Sequence, residues 1–392
     1  MSFISDSVTN LPPYLFSEFQ QKKKTLQADD VDVIDLGIGA PDLPTPDFII
    51  DRLHEESRDP ANHRYSTYSG CQEFREAVAH FYQTQYDVEL DPDSEILAVI
   101  GSKEGIANLM HATLNPGETV LIPDPGYPVY RTAVHLAGGR SASLPLDNMN
   151  GYVPLYDQVD HEAIEQAKLM LLNYPSNPTA ASADYDTFLK AVAFSWENQL
   201  LLVHDAAYDL ITFHDSKAPS VMQVPGAKEQ AVEFGSLSKS FNMTGWRIGY
   251  AVGNKEVIQA LATFKSNIDT SQFIPIQKAA ATALTSDFSA VAAHNHVYQE
   301  RMERLHEGLQ KLGIKAAKPH GTIFLWAKVP DGFTSIAFAD KLLQDAGVIV
   351  TPGNAFGQRG EGYFRVALTV SVERLDEAVS RMAQLDFKEV TN

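Results

Sequence analysis

Ile96-Leu97-Ala98-Val99-Ile100, Thr119-Val120-Leu121-Ile122, Lys168-Leu169-Met170-Leu171-Leu172, Leu200-Leu201-Leu202-Val203 and Ile248-Gly249-Tyr250-Ala251-Val252 are short apolar runs separated by helix-like stretches. Each is followed by a loop rich in Gly, Pro, Ser, Asn or Asp. This alternation predicts an α/β fold with a mostly parallel central sheet covered by helices. In such sheets ligands sit beyond the carboxyl ends of the strands, so those loops are the places to look for chemistry.

Working outward, the texture changes after residue 285. A polar helical stretch from His294 to Leu312 precedes a strand around Thr322 to Lys328, a helix near Ser335 to Asp345, and a closing strand and helix. These predict a smaller α+β domain. The N-terminal segment, with Pro12-Pro13 entering an amphipathic stretch to Leu26 and then Val33-Ile34-Asp35-Leu36, is too short to stand alone and is expected to pack on that domain. The expected division is a large domain over 46–282 and a small domain combining 1–45 with 283–392. No internal repeat or low-complexity tract interrupts the pattern.

Composition narrows the classes of function. The chain has 392 residues, enough to bury a large core, and a formal charge of −19 from 31 Lys+Arg and 50 Asp+Glu. That field opposes binding to nucleic acid or anionic lipid, and the acids are scattered as on an ordinary solvated surface. No basic start with an apolar run opens the sequence and no eighteen apolar residues occur together, so a cytoplasmic protein with no membrane partner is expected. Cys71 is the only cysteine, which excludes an intrachain disulfide and a cysteine metal cluster.

Four loops carry candidate chemistry. Gly235-Ser236-Leu237-Ser238-Lys239 leads through Asn242-Met243-Thr244-Gly245-Trp246 to Arg247. A lysine in such a small-residue loop can sit in a closed pocket where desolvation and nearby cations make its amine nucleophilic, and Ser236 and Arg247 can both bind a phosphate. Taken alone, Lys239 reads more readily as an exposed lysine, and Arg247 as a surface ion-pair partner. His204-Asp205-Ala206-Ala207-Tyr208 follows an apolar run, so Asp205 could be held ionised against a protonated ring nitrogen while Tyr208 reaches a ring hydroxyl. Asn173-Tyr174-Pro175-Ser176-Asn177-Pro178-Thr179 is, without a ligand, a proline-rich turn. Gly101-Ser102-Lys103-Glu104-Gly105 opens a helix and offers unpaired backbone amides to an anion, as many unliganded helices also do.

Competing chemistries are poorly served. Ser236-Leu237-Ser238-Lys239 fits the Ser-x-x-Lys of serine acyl-transfer enzymes, but Ser-Asp-Asn and Lys-Thr-Gly are absent. Leu36-Gly37-Ile38-Gly39-Ala40-Pro41-Asp42 lacks the third glycine of a dinucleotide fingerprint. His204, Asp205 and His214 do not have a metal-ligand spacing.

Together, in this order and spacing, these motifs resemble the class I/II aminotransferases, fold-type I enzymes dependent on pyridoxal 5′-phosphate, over nearly the whole chain. Residues 11–16, Asp124-Pro125-Gly126-Tyr127-Pro128-Val129-Tyr130, Lys265-Ser266-Asn267-Ile268-Asp269 and Gly360-Glu361-Gly362-Tyr363-Phe364-Arg365 resemble the LL-diaminopimelate aminotransferase branch. The resemblance implies that Lys239 carries the cofactor as a Schiff base and shuttles the proton, that Asp205 keeps the pyridine nitrogen protonated, and that Tyr208 and Asn177 meet the phenolic oxygen. It also implies that Tyr127 stacks on the cofactor ring. Ser102, Lys103, Ser236 and Arg247 would form the phosphate cup, joined by Tyr65 from the second subunit of a homodimer. Arg365, with Asn177 and the backbone of Gly39, would bind the substrate α-carboxylate. The implied reaction moves an amino group from an L-amino acid to a 2-oxo acid such as 2-oxoglutarate. Methionine, aromatic or broad-range transamination and carbon-sulfur β-elimination use the same cofactor motifs. A noncatalytic regulator is disfavoured, because the catalytic set is complete and no DNA-binding extension accompanies it. One departure stands out: the family's Asn-Pro-Thr is followed by glycine, whereas Ala180 stands here, and a left-handed alanine costs about 1 kcal/mol or more.

Overall fold

The computed structural model describes residues 3–11, 23–25 and 30–387. Most of the amphipathic stretch at 12–26, and residues 12–16 of the first branch-like motif, lie outside the described residues.

The apolar runs form β2 (Ile96–Val99), β3 (Thr119–Asp124), β5 (Ala167–Asn173), β6 (Leu201–Asp205) and β8 (Gly249–Gly253). Two further strands carry no continuous apolar run. In β4 (Arg140–Pro145) the first residues are largely exposed, as suits an edge strand. In β7 (Ala231–Ser236) Glu233 and Gly235 interrupt the apolar residues although the whole strand is buried. The seven strands join in the order β2-β8-β7-β6-β5-β3-β4. All the pairs are parallel except those made by β8, which runs antiparallel to β2 and β7.

Continuous apolar strands are explained by cover on both faces. One face packs Phe74, Val78 and Phe81 of helix Gln72–Tyr86 and Phe188 of helix Tyr185–Glu197 against Leu172 and Leu202. The other packs Ile106 and Leu109 of helix Ser102–Thr113 and Leu261 of helix Lys255–Ser266 against Val99, Val203 and Phe234. Each fully buried Leu or Phe contributes roughly 1.5–3 kcal/mol, so these two layers fix the strand ends within a stiff frame.

A second core surrounds a three-stranded antiparallel sheet in the order β11 (Thr351–Pro352), β12 (Tyr363–Ala367), β9 (Phe324–Lys328). Beside it β1 (Ile34–Asp35) pairs in parallel with β10 (Val348–Ile349), and Ile34 and Leu36 join the same core. Helices Ser289–Lys311, Ser335–Ala346 and Val372–Met382 cover it. The first begins five residues before the expected His294, after a left-handed Phe288, with the Asp287 carboxylate accepting from the Ser289 amide at 3.0 Å. Among the described residues no helix is long and apolar enough to cross a membrane.

Candidate active site

The carboxyl ends of β2, β3, β5, β6 and β7 and the amino end of the reversed β8 surround one cavity of about 350 Å³. Strands β9 and β12 and the loop after β1 supply its other wall through Phe324, Arg365 and Gly39. Gly39, Ser102, Lys103, Tyr127, Asn177, Asp205, Tyr208, Ser236, Lys239, Arg247 and Arg365 all line it. Tyr65 does not: it is 88% exposed on the surface of this chain.

Lys239 lies on the short helix Leu237–Ser240 that follows β7. Its Nζ donates to the Gly39 carbonyl at 2.8 Å and sits 5.8 Å from the centre of the Tyr208 ring. Burial, together with the guanidinium groups of Arg365 and Arg247, pushes the Lys239 amine down to about 8 from its ordinary 10.5, against a smaller opposing pull from Asp205. Gly39 itself is required by close approach, since a β-carbon there would fall 2.2 Å from the Phe324 ring.

Asp205 ends β6 and is 6% exposed. Its Oδ2 accepts from the Tyr130 hydroxyl at 2.8 Å, whereas its Oδ1, also buried, has no hydrogen-bond partner among the described residues. Burial pushes this carboxyl upward, opposed chiefly by the Tyr130 hydrogen bond and then by the charge of His204. An orphaned carboxylate oxygen costs about 1–3 kcal/mol or more, and a cationic ring N–H is the donor that would relieve it. Tyr208 is buried in the same wall, its ring edge-on to Phe324, and burial raises its hydroxyl so that it stays protonated.

Arg365 is 1% exposed on β12, with its guanidinium between the rings of Phe324 and Phe356 at 4.1 and 4.9 Å. It donates to Asn177 Oδ1 at 2.6 Å and to the Gly37 carbonyl at 2.7 Å. The Gly39 carbonyl accepts from Lys239, and the Gly37 carbonyl accepts from the arginine. Asn177 is held by its own amide, which donates to Asn173 Oδ1 at 2.8 Å, while Asn173 Nδ2 donates to the Asp205 carbonyl at 2.8 Å.

The anion cup lies at the start of helix Ser102–Thr113. Gly101 precedes it with φ +85°, and a β-carbon there would meet Arg247 Nη2 at 2.2 Å. Arg247 donates to the Thr244 carbonyl at 2.8 Å and reaches Ser238 Oγ at 3.4 Å. Ser236 Oγ accepts from the Ser238 amide at 3.2 Å. Backbone amides, hydroxyls and one guanidinium converge as a phosphate requires. The orphaned Asp205 oxygen at one side and this cup at the other fit pyridoxal phosphate.

Ala180 is left-handed, with φ +56°, its amide donating to the Ser176 carbonyl at 3.0 Å. The strain expected from alanine in place of glycine is therefore present. Residues that sequence reasoning did not assign also meet the site. Tyr130 was legible one helical turn after Tyr127, Asn173 and Ser238 lay inside quoted motifs, and Phe324 gave no local signal because only β9 packing brings it in.

The model of the family described as aminotransferase class I and II matches residues 31–382. The LL-diaminopimelate aminotransferase of Moorella thermoacetica is 48% identical over 378 residues, 96% of this chain and 97% of that protein. That of Syntrophobacter fumaroxidans is 46% identical over 388 residues, 99% and 100% of the two chains. Among solved structures, substrate-bound BacF from Bacillus subtilis superposes with a TM-score of 0.94 at 39% identity, covering 100% of both chains.

Proposed function

This chain belongs to the class I and II aminotransferase family and is a pyridoxal-phosphate-dependent aminotransferase, and from that premise we propose that it takes the amino group of LL-diaminopimelate, or a close relative with a long polar side chain, and passes it to 2-oxoglutarate. The amino donor is supported by the names of relatives that match along nearly their whole length. The observation that carries the site assignment is the convergence on one cavity of a depressed lysine, an orphaned buried carboxylate and an aromatic-clamped arginine.

Bound pyridoxal phosphate supplies the electron-withdrawing ring that stabilises charge at the substrate α-carbon. Asp205 Oδ1 would accept from the ring nitrogen and keep it protonated, with Tyr130 holding Asp205 in place through Oδ2. Tyr208 would donate from its raised hydroxyl toward the phenolic oxygen, with Asn177 beside it. Tyr127 would cover the ring face. Ser102, Lys103, Ser236 and Arg247 would hold the phosphate. Arg365 binds the substrate α-carboxylate by its fork, and its Phe324 and Phe356 neighbours exclude water. Lys239 Nζ would hold the cofactor and, once free, would act as the base that carries a proton away from the α-carbon of the amino donor and, in the other half of the reaction, as the acid that delivers one to the carbon of the 2-oxo acid.

The same reading makes the working enzyme a cytoplasmic homodimer in which the exposed Tyr65 of each chain reaches the partner's phosphate cup. Its bodies are a large domain over 46–282 and a small one from 1–45 and 283–392. The test is a steady-state comparison of amino donors with 2-oxoglutarate, following glutamate formation. LL-diaminopimelate should exceed methionine, phenylalanine and aspartate in kcat/KM. A tenfold preference for any of those, about 1.4 kcal/mol in transition-state binding, refutes the donor, and pyruvate and ammonia released from sulfur amino acids would point to β-elimination.

A further inference from the structure

We infer that His204 is a doubly protonated positioning residue whose buried pair with Glu233, on the far face of the sheet, holds Asp205 and the Asn173–Asn177 loop in their working places. The inference rests on the proposed role of Asp205.

Successive residues of a strand face opposite sides. Asp205 lines the cavity, so its neighbour His204 turns into the core beneath helix Tyr185–Glu197, where Phe188 lies edge-on at 4.7 Å and no surface is exposed. His204 Nδ1 is 2.6 Å from Glu233 Oε2, its cross-strand partner on β7, and Nε2 is 3.0 Å from the Tyr174 carbonyl. A neutral imidazole offers one donor and one acceptor. The carbonyl can only accept, so Nε2 carries a hydrogen. Glu233 receives three more donors, the Tyr82 hydroxyl at 2.6 Å, the Ser220 hydroxyl at 2.6 Å and the Val221 amide at 3.0 Å. Donors in that number favour the ionised carboxylate, which then accepts from a protonated Nδ1 as well. Despite desolvation, the histidine and the two hydroxyls hold Glu233 below the usual carboxylate range.

The consequence reaches the cavity along two short paths. The imidazolium adjoins Asp205 in the chain, and its charge opposes the upward push of burial on that carboxyl. Through Nε2 it also anchors the carbonyl of Tyr174, the residue after Asn173, whose side chain binds the Asp205 carbonyl and the Asn177 amide. The ends of β5 and β6 and the middle of β7 are thereby fastened behind the site by one charged pair. The remaining titratable groups that feel this pair are Tyr82, Tyr86, Asp209 and Tyr250.

The charge state is read on the unsubstituted apoenzyme labelled with ¹⁵N-histidine, from long-range ¹⁵N–¹H correlations. One solvent-protected ring, absent from His204→Gln, should keep protons on both nitrogens; a single-proton ring there, with Glu233 holding the other proton, overturns the inference. Positioning is read as the dissociation constant of pyridoxal phosphate in Glu233→Gln, Asp205→Asn and the double variant. Glu233→Gln is expected to weaken binding about tenfold alone and less than about threefold in the Asp205→Asn background. Unchanged binding, or equal losses in both backgrounds, overturns it. If Asp205→Asn alone leaves binding unchanged, the role of Asp205 fails instead, while the doubly protonated ring is still observed. Should Glu233→Gln not fold, Ser220→Ala removes one donor from the carboxylate and is expected to show the same background dependence at smaller size.

Discussion

If the Lys239 amine sits near 8, covalent capture of pyridoxal phosphate by the apoenzyme must follow the fraction of that amine which is neutral, and this can be perturbed through Arg365. At pH 7.5 an ordinary lysine is neutral in about 0.1% of molecules, whereas one near 8 is neutral in roughly a quarter, a gain of about 240-fold. Burial is the largest cause of that displacement and the Arg365 guanidinium the next. Arg365→Met keeps an apolar stem between Phe324 and Phe356 but removes the cation. Because burial persists, the midpoint should rise by about 0.5–1 pH unit, which slows capture at pH 7.5 by about three- to eightfold. The assay is stopped-flow absorbance of cofactor capture across about pH 6.5 to 10 at constant ionic strength. For the native chain the rate should climb tenfold per pH unit and level off above about 8. A rate still climbing at pH 10 would refute the buried-amine argument. An unmoved midpoint in Arg365→Met would refute the share given to the guanidinium.

The same amine makes apoenzyme stability depend on pH. Because its folded value is depressed, the contribution is fully present above 10.5 and is lost as pH falls toward about 8, up to roughly 3 kcal/mol from this group; urea unfolding of Lys239→Met should lack that part of the slope, and an identical slope would count against it. Ala180→Gly should stabilise the fold by up to about 1 kcal/mol, since relief of a left-handed alanine exceeds the extra chain entropy of glycine; a lowered urea midpoint would show that the buried methyl matters more. Asp205→Ala should cut turnover by at least about a hundredfold while shifting the melting temperature little, and equal activity would remove Asp205 from the ring nitrogen. Tyr65→Phe should weaken cofactor binding without disturbing the fold, and a fully active monomer in sedimentation would contradict the intersubunit role.

The parallel-sheet class was legible because buried strands have to be apolar on both faces, and that requirement writes continuous runs such as Leu169 to Leu172 into the chain. The cavity residues were legible for a related reason: loops at strand ends concentrate Gly, Ser, Asn and Asp, so Lys239, Asp205, Asn177 and Ser102 stand out at the ends of apolar runs. The family resemblance announced Ala180 as an anomaly, but only backbone geometry established that its φ is positive. Strand β7 escaped notice because Glu233 breaks its apolar pattern, and a buried charge is tolerable there only through hydroxyl, amide and imidazole donors drawn from other elements. The reversed β8 and the clamp of Phe324 and Phe356 on Arg365 arise from strand pairing and packing that no local pattern records, and the distinction between Gly37 and Gly39 as carbonyl partners arises from contacts between residues 328 and 200 positions apart. Periodicity and turn chemistry record what a residue demands of its near neighbours. Which distant group meets that demand, and how far its charge moves a lysine or a carboxyl, is settled only when the chain closes on itself and excludes water.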